Sequence, residues 1–336
     1  MDLSSRYLGL SLRNPLVASP SPRTSTVDGV RRLAGAGVAA VVLPSLFEEE
    51  LRQRAAVDAA AWEAGTDSFA ESLSYFPGLA VSASEPSASQ YLSLVERSAA
   101  VGIPVIASLN GVSAGGWTQY AGALERAGAA AIELNIYHLP DDPLISGRYV
   151  EEQHIEILAS VKAVVEIPVA VKLSPYFSSL GEMAVRLDRA GADGLVLFNR
   201  FMHPDVNPEK LTMTIGFGLS SPAEGRLPRI WIARLAGLIR ASLAASTGVE
   251  DASDVAAFLL AGADVVMTTS ALLRHGPDHA RVLLGGLTAW MARQGFSSLD
   301  DFRGKLATSA GPAGAAGDRA GYVRSLRAAD RGERSW

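Results

Sequence analysis

The feature that most constrains this chain is a phrase that occurs four times: an alanine, then a glycine, then within a few residues a short apolar run. The copies begin at Ala36-Gly37, Ala127-Gly128, Ala190-Gly191 and Ala261-Gly262, and the runs that follow occupy 40–43, 131–134, 194–198 and 265–268. A glycine in that place suits the left-handed residue that closes a helix, and a short apolar run beside a turn signal suits a strand buried on both faces. Each copy is therefore the end of a helix feeding a buried strand. Prolines mark three further strands: Pro15 before 16–18, Pro104 before 105–108 and Pro168 before 169–173. One more apolar run, at 241–245, brings the expected number to eight.

Helical patterns at 113–126, 150–164, 180–189, 251–260 and 277–293 fill the intervals, and such alternation calls for a parallel sheet. Eight units are the number of a closed barrel, so the expected fold is α/β, a single (β/α)8 barrel of the TIM type. The step from Gly128 to Gly191 is close to the roughly 60 residues that two units of such a barrel need. The longer steps on either side place insertions after the second and sixth strands, in about 46–90 and 200–221. Tyr7 to Leu12, around Gly9, reads as an N-terminal hairpin that plugs the bottom of the barrel. The barrel is expected to occupy 1–306, with a Gly/Ala/Pro/Ser-rich linker and a C-terminal tail in 307–336.

Composition removes several classes of function. Thirty Lys and Arg against 35 Asp and Glu give a net charge of −5, which disfavours a surface that grips a nucleic-acid backbone. Cysteine is absent, so disulfides, thiolate metal sites, a cysteine nucleophile and an iron–sulfur cluster carried by this chain are all excluded. No stretch of 18 uncharged apolar residues and no leader pattern occurs, and the expectation is a cytoplasmic protein without a membrane span. No metal is expected: His275 and His279 flank Gly276-Pro277 at the start of a helix, His154 reads as helical surface, and His203 lies in the second insertion. Neither a dinucleotide Gly-x-Gly-x-x-Gly nor a phosphate-binding P-loop is present.

The strands end in polar residues: Ser19, Ser45, Asn110, Asn135, Lys172, Asn199 and the pair Thr269-Ser270. In a barrel these ends converge on the face where ligands bind. Lys172 stands out, because an ammonium inside the apolar run 169–173 needs an anionic partner. That partner is either a bound ligand or a neighbouring side chain such as Glu133. Thr247-Gly248, after the seventh strand, and Thr269-Ser270, after the eighth, occupy the loops where barrels hold phosphate, and a glycine lets backbone N–H groups approach the oxygens. A rival pattern, Gly111-Val112-Ser113-Ala114-Gly115, matches a hydrolase nucleophile turn, but eight regular units do not fit a hydrolase, and Ser113 is equally placed to cap its helix.

These residues resemble the dihydroorotate dehydrogenases, the soluble class 1 type above all. The resemblance covers about 6–306 and rests on Asn14-Pro15-Leu16-Val17-Ala18-Ser19, Glu133-Leu134-Asn135, Val171-Lys172-Leu173-Ser174-Pro175-Tyr176, the stretch 245–250, Ala261-Gly262-Ala263, Thr269-Ser270-Ala271-Leu272 and Gly304-Lys305-Leu306. It implies an FMN-binding barrel that oxidises dihydroorotate, or a related cyclic amide, in pyrimidine biosynthesis, by proton abstraction and hydride transfer to flavin N5. It implies that Ala18 and Ser19 touch the flavin through backbone, that Lys172 lies at the N1/O2 edge, that Ser45, Asn110, Asn135 and Asn199 face flavin or substrate, and that Thr247, Gly248, Thr269 and Ser270 hold the phosphate.

The chain also departs from the family pattern. Pro44-Ser45 stands where the family carries Lys-Ser, removing a cation. Asn135-Ile136-Tyr137-His138-Leu139-Pro140 replaces a loop whose base is cysteine or serine, so His138 takes the position of the base and the last asparagine is lost. Ser72, in Ser72-Leu73-Ser74-Tyr75-Phe76-Pro77, falls where a substrate asparagine is usual. Histidine titrates near neutrality and is competent for the proton transfer; a loop histidine without a role is the alternative. FMN binding is thus better preserved than orotate recognition. The expected partners are a small-molecule substrate and an iron–sulfur or other redox protein, with a homodimer left open. The other readings are an FMN oxidoreductase with a different substrate, and an electron-transfer subunit of a larger complex.

Overall fold

The Ala-Gly phrases close helices as expected: Gly37, Gly128, Gly191 and Gly262 all take positive φ, and the chain turns from each into a buried strand. The structure, a computed structural model, describes residues 1–47, 88–110, 114–136, 142–200, 205–214, 218–308, 320–324 and 326–327. Two short antiparallel strands come first, β1 (Ser5–Tyr7) and β2 (Leu10–Leu12), with Tyr7 opposite Leu10. The barrel starts with β3 (Leu16–Ala18), α1 (Val27–Gly35) and β4 (Ala40–Phe47). It continues through α2 (Ala88–Ala99), β5 (Val105–Asn110), α3 (Ala114–Arg126) and β6 (Ala131–Asn135). Next come α4 (Gly147–Lys162), β7 (Val169–Leu173), α5 (Leu180–Arg189) and β8 (Gly194–Leu197).

The second insertion follows. Its described part is a hairpin of β9 (Asp205–Asn207) and β10 (Thr212–Thr214), then a short 3-10 turn, Pro222–Gly225. The last units are α6 (Arg226–Leu235), β11 (Ser242–Ala245), α7 (Ala252–Ala261), β12 (Val265–Thr268), α8 (Ser270–His275) and α9 (His279–Gln294). The sheet closes in the order β11-β12-β3-β4-β5-β6-β7-β8, and every neighbouring pair is parallel. This is the (β/α)8 barrel.

Alternation along the strands sorts the core into two bodies. Residues such as Leu16, Val41, Val105, Ile132, Val171 and Leu195 face outward and pack beneath the helices. Val17, Val42, Ile106, Ala131, Ala170, Val196, Ala244 and Met267 face inward and fill the barrel together with Tyr7, Leu8 and Leu12 of the hairpin. Period-2 patterning on a closed sheet leaves no third choice. The inward rows go on through Ser108, Glu133 and Lys172, all buried. The hairpin is the plug that the sequence suggested.

Two expectations are corrected. The strand expected at 40–43 extends to Phe47, past Pro44, because the ladder to β5 shifts register between Val42 and Ser45. A bulge of that kind accommodates a residue without an N–H, and the Tyr91 hydroxyl donates to the Pro44 carbonyl at 2.7 Å. His154 is not helical surface. It lies with Ile157, Leu158 and Val161 on the buried face of α4, its Nδ1 is 2.7 Å from the Val150 carbonyl, and its ring meets Phe177 edge-on. The i, i+3, i+4, i+7 spacing of these four residues is that of a core-facing stripe.

The plug packs against β8 through a glycine: a Cβ on Gly194 would come within 2.5 Å of Leu8 Cδ2. Gly194→Ala is expected to lower stability by about 1–3 kcal/mol through overpacking, read by thermal or urea unfolding. An unchanged midpoint would mean that the hairpin yields freely.

Candidate active site

At the C-terminal ends of the barrel strands the structure has a cavity of about 500 Å³. That volume is in the range of small-molecule and cofactor sites. Its wall includes Ser19 after β3, Asn135 at the end of β6, Lys172 in β7, Phe198 and Asn199 after β8, Thr247 and Gly248 after β11, and Thr269 and Ser270 after β12. Eight of the residues singled out in the sequence thus meet on one surface. Ala18 and Asn110 are not among the described residues of this wall; Ala18 is in the outer core, with its side chain turned toward the helices. Ser72 and His138 lie outside the described residues, as do His203 and residues 111–113 of the rival motif.

Ser45 stands behind the wall at one end of a hydrogen-bond chain. Asn199 Nδ2 donates to Asn135 Oδ1 at 2.5 Å, Asn135 Nδ2 donates to Ser45 Oγ at 3.3 Å, and Ser45 Oγ lies 2.8 Å from Ser108 Oγ. The two amides are fixed in orientation by each other, and the bulge at Pro44 turns Ser45 toward them. Lys172, 8% exposed, forms part of the wall and sits 3.6 Å from Glu133 Oε1. The lysine thus has a carboxylate partner on one side and lines the cavity on the other.

The late loops join the second insertion, a contribution the sequence did not disclose. Gly218, Leu219 and Ser220 line the cavity. Ser220 Oγ is 2.9 Å from Ser270 Oγ and accepts from the Gly248 N–H at 3.3 Å, while Arg274 holds the Ser220 carbonyl at 2.7 Å. Thr247 and Gly248 both take positive φ, 80° and 74°. A Cβ on Gly248 would fall 2.3 Å from the Gly225 nitrogen, so the loop needs glycine there for close backbone approach as well. Leu219 and Ser220 carried no sequence signal, since a hydroxyl in a long loop is ordinary until the barrel brings it opposite Ser270.

Arg274 also pairs with Glu250, whose other oxygen lies 2.7 Å from His275 Nε2; the His275 ring is 4.6 Å from that of His279. Burial pushes the Glu250 carboxyl upward, but the His275 hydrogen bond and the Arg274 charge outweigh it, and the group titrates below the ordinary range. The stabilisation from this cluster is complete above the unfolded carboxyl value of about 4.3 and is lost as pH falls through the lower folded value. Glu250→Gln is expected to flatten the acid limb of thermal stability measured between about pH 2 and 6; an acid limb as steep as the wild type's would count against the cluster.

No Asp or Glu stands among the described residues of the wall, which carries two cations, Lys172 and Arg200, and a row of hydroxyls. Arg200 is committed to Glu224 and to the Gly218 carbonyl. Ser19 Oγ is buried and has no hydrogen-bond partner among the described residues. Such a surface suits a ligand that is anionic at one end and rich in hydrogen-bonding atoms. No group of His, Cys, Asp and Glu among the described residues is arranged to hold a metal ion, and no described helix is long and apolar enough to cross a membrane.

A parallel barrel with its ligand cavity at the strand C-termini and a lysine rising from the barrel interior defines a class of small-molecule enzymes. Comparison with known proteins narrows the class. The profile of the Dihydroorotate dehydrogenase family matches residues 78–291. A protein of Aeropyrum pernix, provisionally named dihydroorotate dehydrogenase A (fumarate), is 35% identical over 208 residues, which is 60% of this chain and 67% of that protein. The dihydroorotate dehydrogenase B (NAD(+)) catalytic subunit of Methanothermobacter thermautotrophicus is 29% identical over 60% of this chain and 68% of its own length. The subunit of the same name from Halalkalibacterium halodurans is 32% identical over 52% of this chain and 59% of its own. The chain belongs to the dihydroorotate dehydrogenase family. It is an oxidoreductase of the class that acts on CH–CH bonds.

Gly248→Ala is expected to cost about 1–3 kcal/mol and to weaken ligand binding in the cavity, because the added methyl meets backbone and the positive φ disfavours alanine. Thermal unfolding and ligand titration measure the two effects; a variant with wild-type stability would show that the loop can move away from Gly225.

Proposed function

We propose that this protein is an FMN-dependent dehydrogenase that oxidises a CH–CH bond beside a carbonyl in a cyclic amide related to dihydroorotate. The observation that carries this reading is a cavity with a buried cation in its floor, hydroxyls and a left-handed Thr247-Gly248 turn at its rim, and no carboxylate in its described wall. Ser19 Oγ, buried and without a hydrogen-bond partner among the described residues, is placed to bond a polar ligand.

Lys172, Ser19, Asn135 and Asn199 would hold the ring system of FMN, with Ala18 contributing backbone, and Thr247, Gly248, Thr269 and Ser270 would hold its phosphate. When bound, FMN supplies a ring that takes up an electron pair from substrate. The chain's own part is to fix a positive charge at one ring edge through Lys172, to orient substrate with the linked amides of Asn135 and Asn199, and to remove the carbon-bound proton. His138, three residues beyond Asn135 in the chain, is proposed for that proton. Ser45 and Asn110 lend support, Ser45 through its hydrogen bond to Asn135, and Ser72 is proposed to face substrate. Two of the relatives are named as catalytic subunits, and with no cysteine of its own the chain passes its electrons to a separate redox protein or a small acceptor.

The first test is direct. The purified protein is expected to be yellow and to release FMN on denaturation, identified by chromatography; colourless protein that does not bind added FMN would defeat the reading. Lys172→Ala is expected to weaken FMN binding and lower the potential of the bound cofactor, and potentiometry on both proteins decides this.

The substrate loop leads to a second test. With Pro44 in place of a lysine and no final asparagine in 135–140, a dihydroorotate carboxylate and ring amide would each lack a partner, at about 1–3 kcal/mol apiece. Anaerobic stopped-flow is therefore expected to show slow bleaching with dihydroorotate, and rapid bleaching at low micromolar substrate would contradict it. With the true substrate, His138→Asn is expected to abolish bleaching while FMN stays bound. The wild-type rate should rise with pH through an ionisation that the variant lacks.

A further inference from the structure

Directly beneath the cavity is a carboxylate that the reading above does not use. Glu133 projects into the barrel from β6, one inward position below Asn135, and is fully buried. Neither of its oxygens has a hydrogen-bond partner among the described residues. Buried carboxylates ordinarily accept several hydrogen bonds, so an ionised one without them needs a cation close by. Lys172 Nζ, at 3.6 Å, is that cation. The other titratable groups that feel Glu133 are Tyr7 from the plug and Tyr91 from α2. Both phenols are pushed upward, by burial first with the Glu133 charge adding to it, and neither can neutralise the carboxylate.

The pair is lopsided. Below Lys172 lies the closed barrel interior with Glu133, and above it the open cavity. A buried ammonium needs an anion beside it, and before any anionic ligand enters, Glu133 is the anion within ion-pairing distance among the described residues. We infer that Glu133 is a positioning residue: its carboxylate keeps the Lys172 side chain on the barrel axis, charged and turned to the cavity floor, so that the site presents a fixed positive charge whether or not a ligand is bound. The inference rests on the FMN reading only for what that charge acts upon. That no described residue hydrogen-bonds to Glu133 fits the role, because the carboxylate's field is then spent on Lys172 and not divided among donors.

The test uses the full-length chain in two states. In the protein stripped of ligand, lysines are labelled with trace acetic anhydride at neutral pH and read peptide by peptide by mass spectrometry, with the exposed Lys210 as internal standard. Only the uncharged amine reacts. Glu133→Gln is expected to raise Lys172 labelling relative to Lys210 by about tenfold or more, whereas Glu133→Asp, which keeps the charge, should stay within about threefold of wild type. In the FMN-loaded protein, a two-electron titration followed against pH should show one additional proton taken up in Glu133→Gln, because Lys172 is then charged only once negative charge builds up above it.

Unchanged Lys172 labelling in a folded Glu133→Gln protein would overturn the inference and leave Glu133 as filling. If that variant does not fold, Lys172→Met and Lys172→Met/Glu133→Gln are compared. The double variant should unfold at higher temperature than the single, since it removes a buried charge left without its partner; equal or lower stability would again overturn the inference. Failure of every variant, and of wild type, to bind FMN would defeat the proposed function while the labelling still decides the role of Glu133.

Discussion

Closure of the sheet is the constraint on which the rest of this structure depends. Once β8 pairs with β11 and β12 with β3, every second strand residue must enter a narrow space that water does not reach. Most inward positions are filled by valine, alanine, isoleucine or methionine, and the bottom is stopped by Tyr7, Leu8 and Leu12. Toward the C-terminal end of the barrel Ser108, Glu133 and Lys172 succeed the apolar layers. The site is therefore the place where the barrel's interior pattern changes from apolar to polar.

That change sets the electrostatics. A lysine and a glutamate enclosed together satisfy each other's charge, yet pairing at 3.6 Å, with no hydrogen bond to the carboxylate from the described residues, leaves the ammonium only loosely engaged below. A tightly bound bidentate pair would bury the charge as pure scaffold. Here the charge remains directed at the cavity, beside amides that orient one another through Asn199, Asn135 and Ser45. The opposite end of the cavity is built differently. There the second insertion crosses the late loops, and Ser220, Ser270 and Gly248 are drawn together by Arg274 and the Glu250 cluster outside them.

Family membership and departures from the family pattern act on different parts of this surface. The residues that the family resemblance singles out, Lys172, Asn135, Asn199 and the late loops, are carried by strand ends and by loops clamped to them. The departures noted in the sequence are at Pro44, in β4, and along 136–140, of which 137–140 lie outside the described residues. Pro44 is tolerated because β4 bulges and Tyr91 takes up its carbonyl. The loss of a cation there is accommodated by the backbone without disturbing the strand behind it.

Much of this was legible in the sequence because it obeys short periods. The helix-ending glycines, the buried strands, the plug and the convergence of Ser19, Asn135, Lys172, Asn199, Thr247, Gly248, Thr269 and Ser270 all follow from local chemistry repeated eight times around a closed sheet. What local pattern does not encode is which distant residues meet. His154 looked like surface because one histidine in a polar helix carries no sign of the Phe177 ring it packs against. Leu219 and Ser220 looked like loop because their role exists only once the insertion lies across Ser270. The Lys172 alternatives, ligand or Glu133, could not be separated by sequence at all, since both depend on neighbours across strands. Sequence by itself determined the barrel and the list of polar strand ends, because turns and alternation are local. Only the tertiary structure decided that the lysine has its carboxylate beneath it and open space above, because burial and charge pairing are properties of the closed barrel and of no single segment.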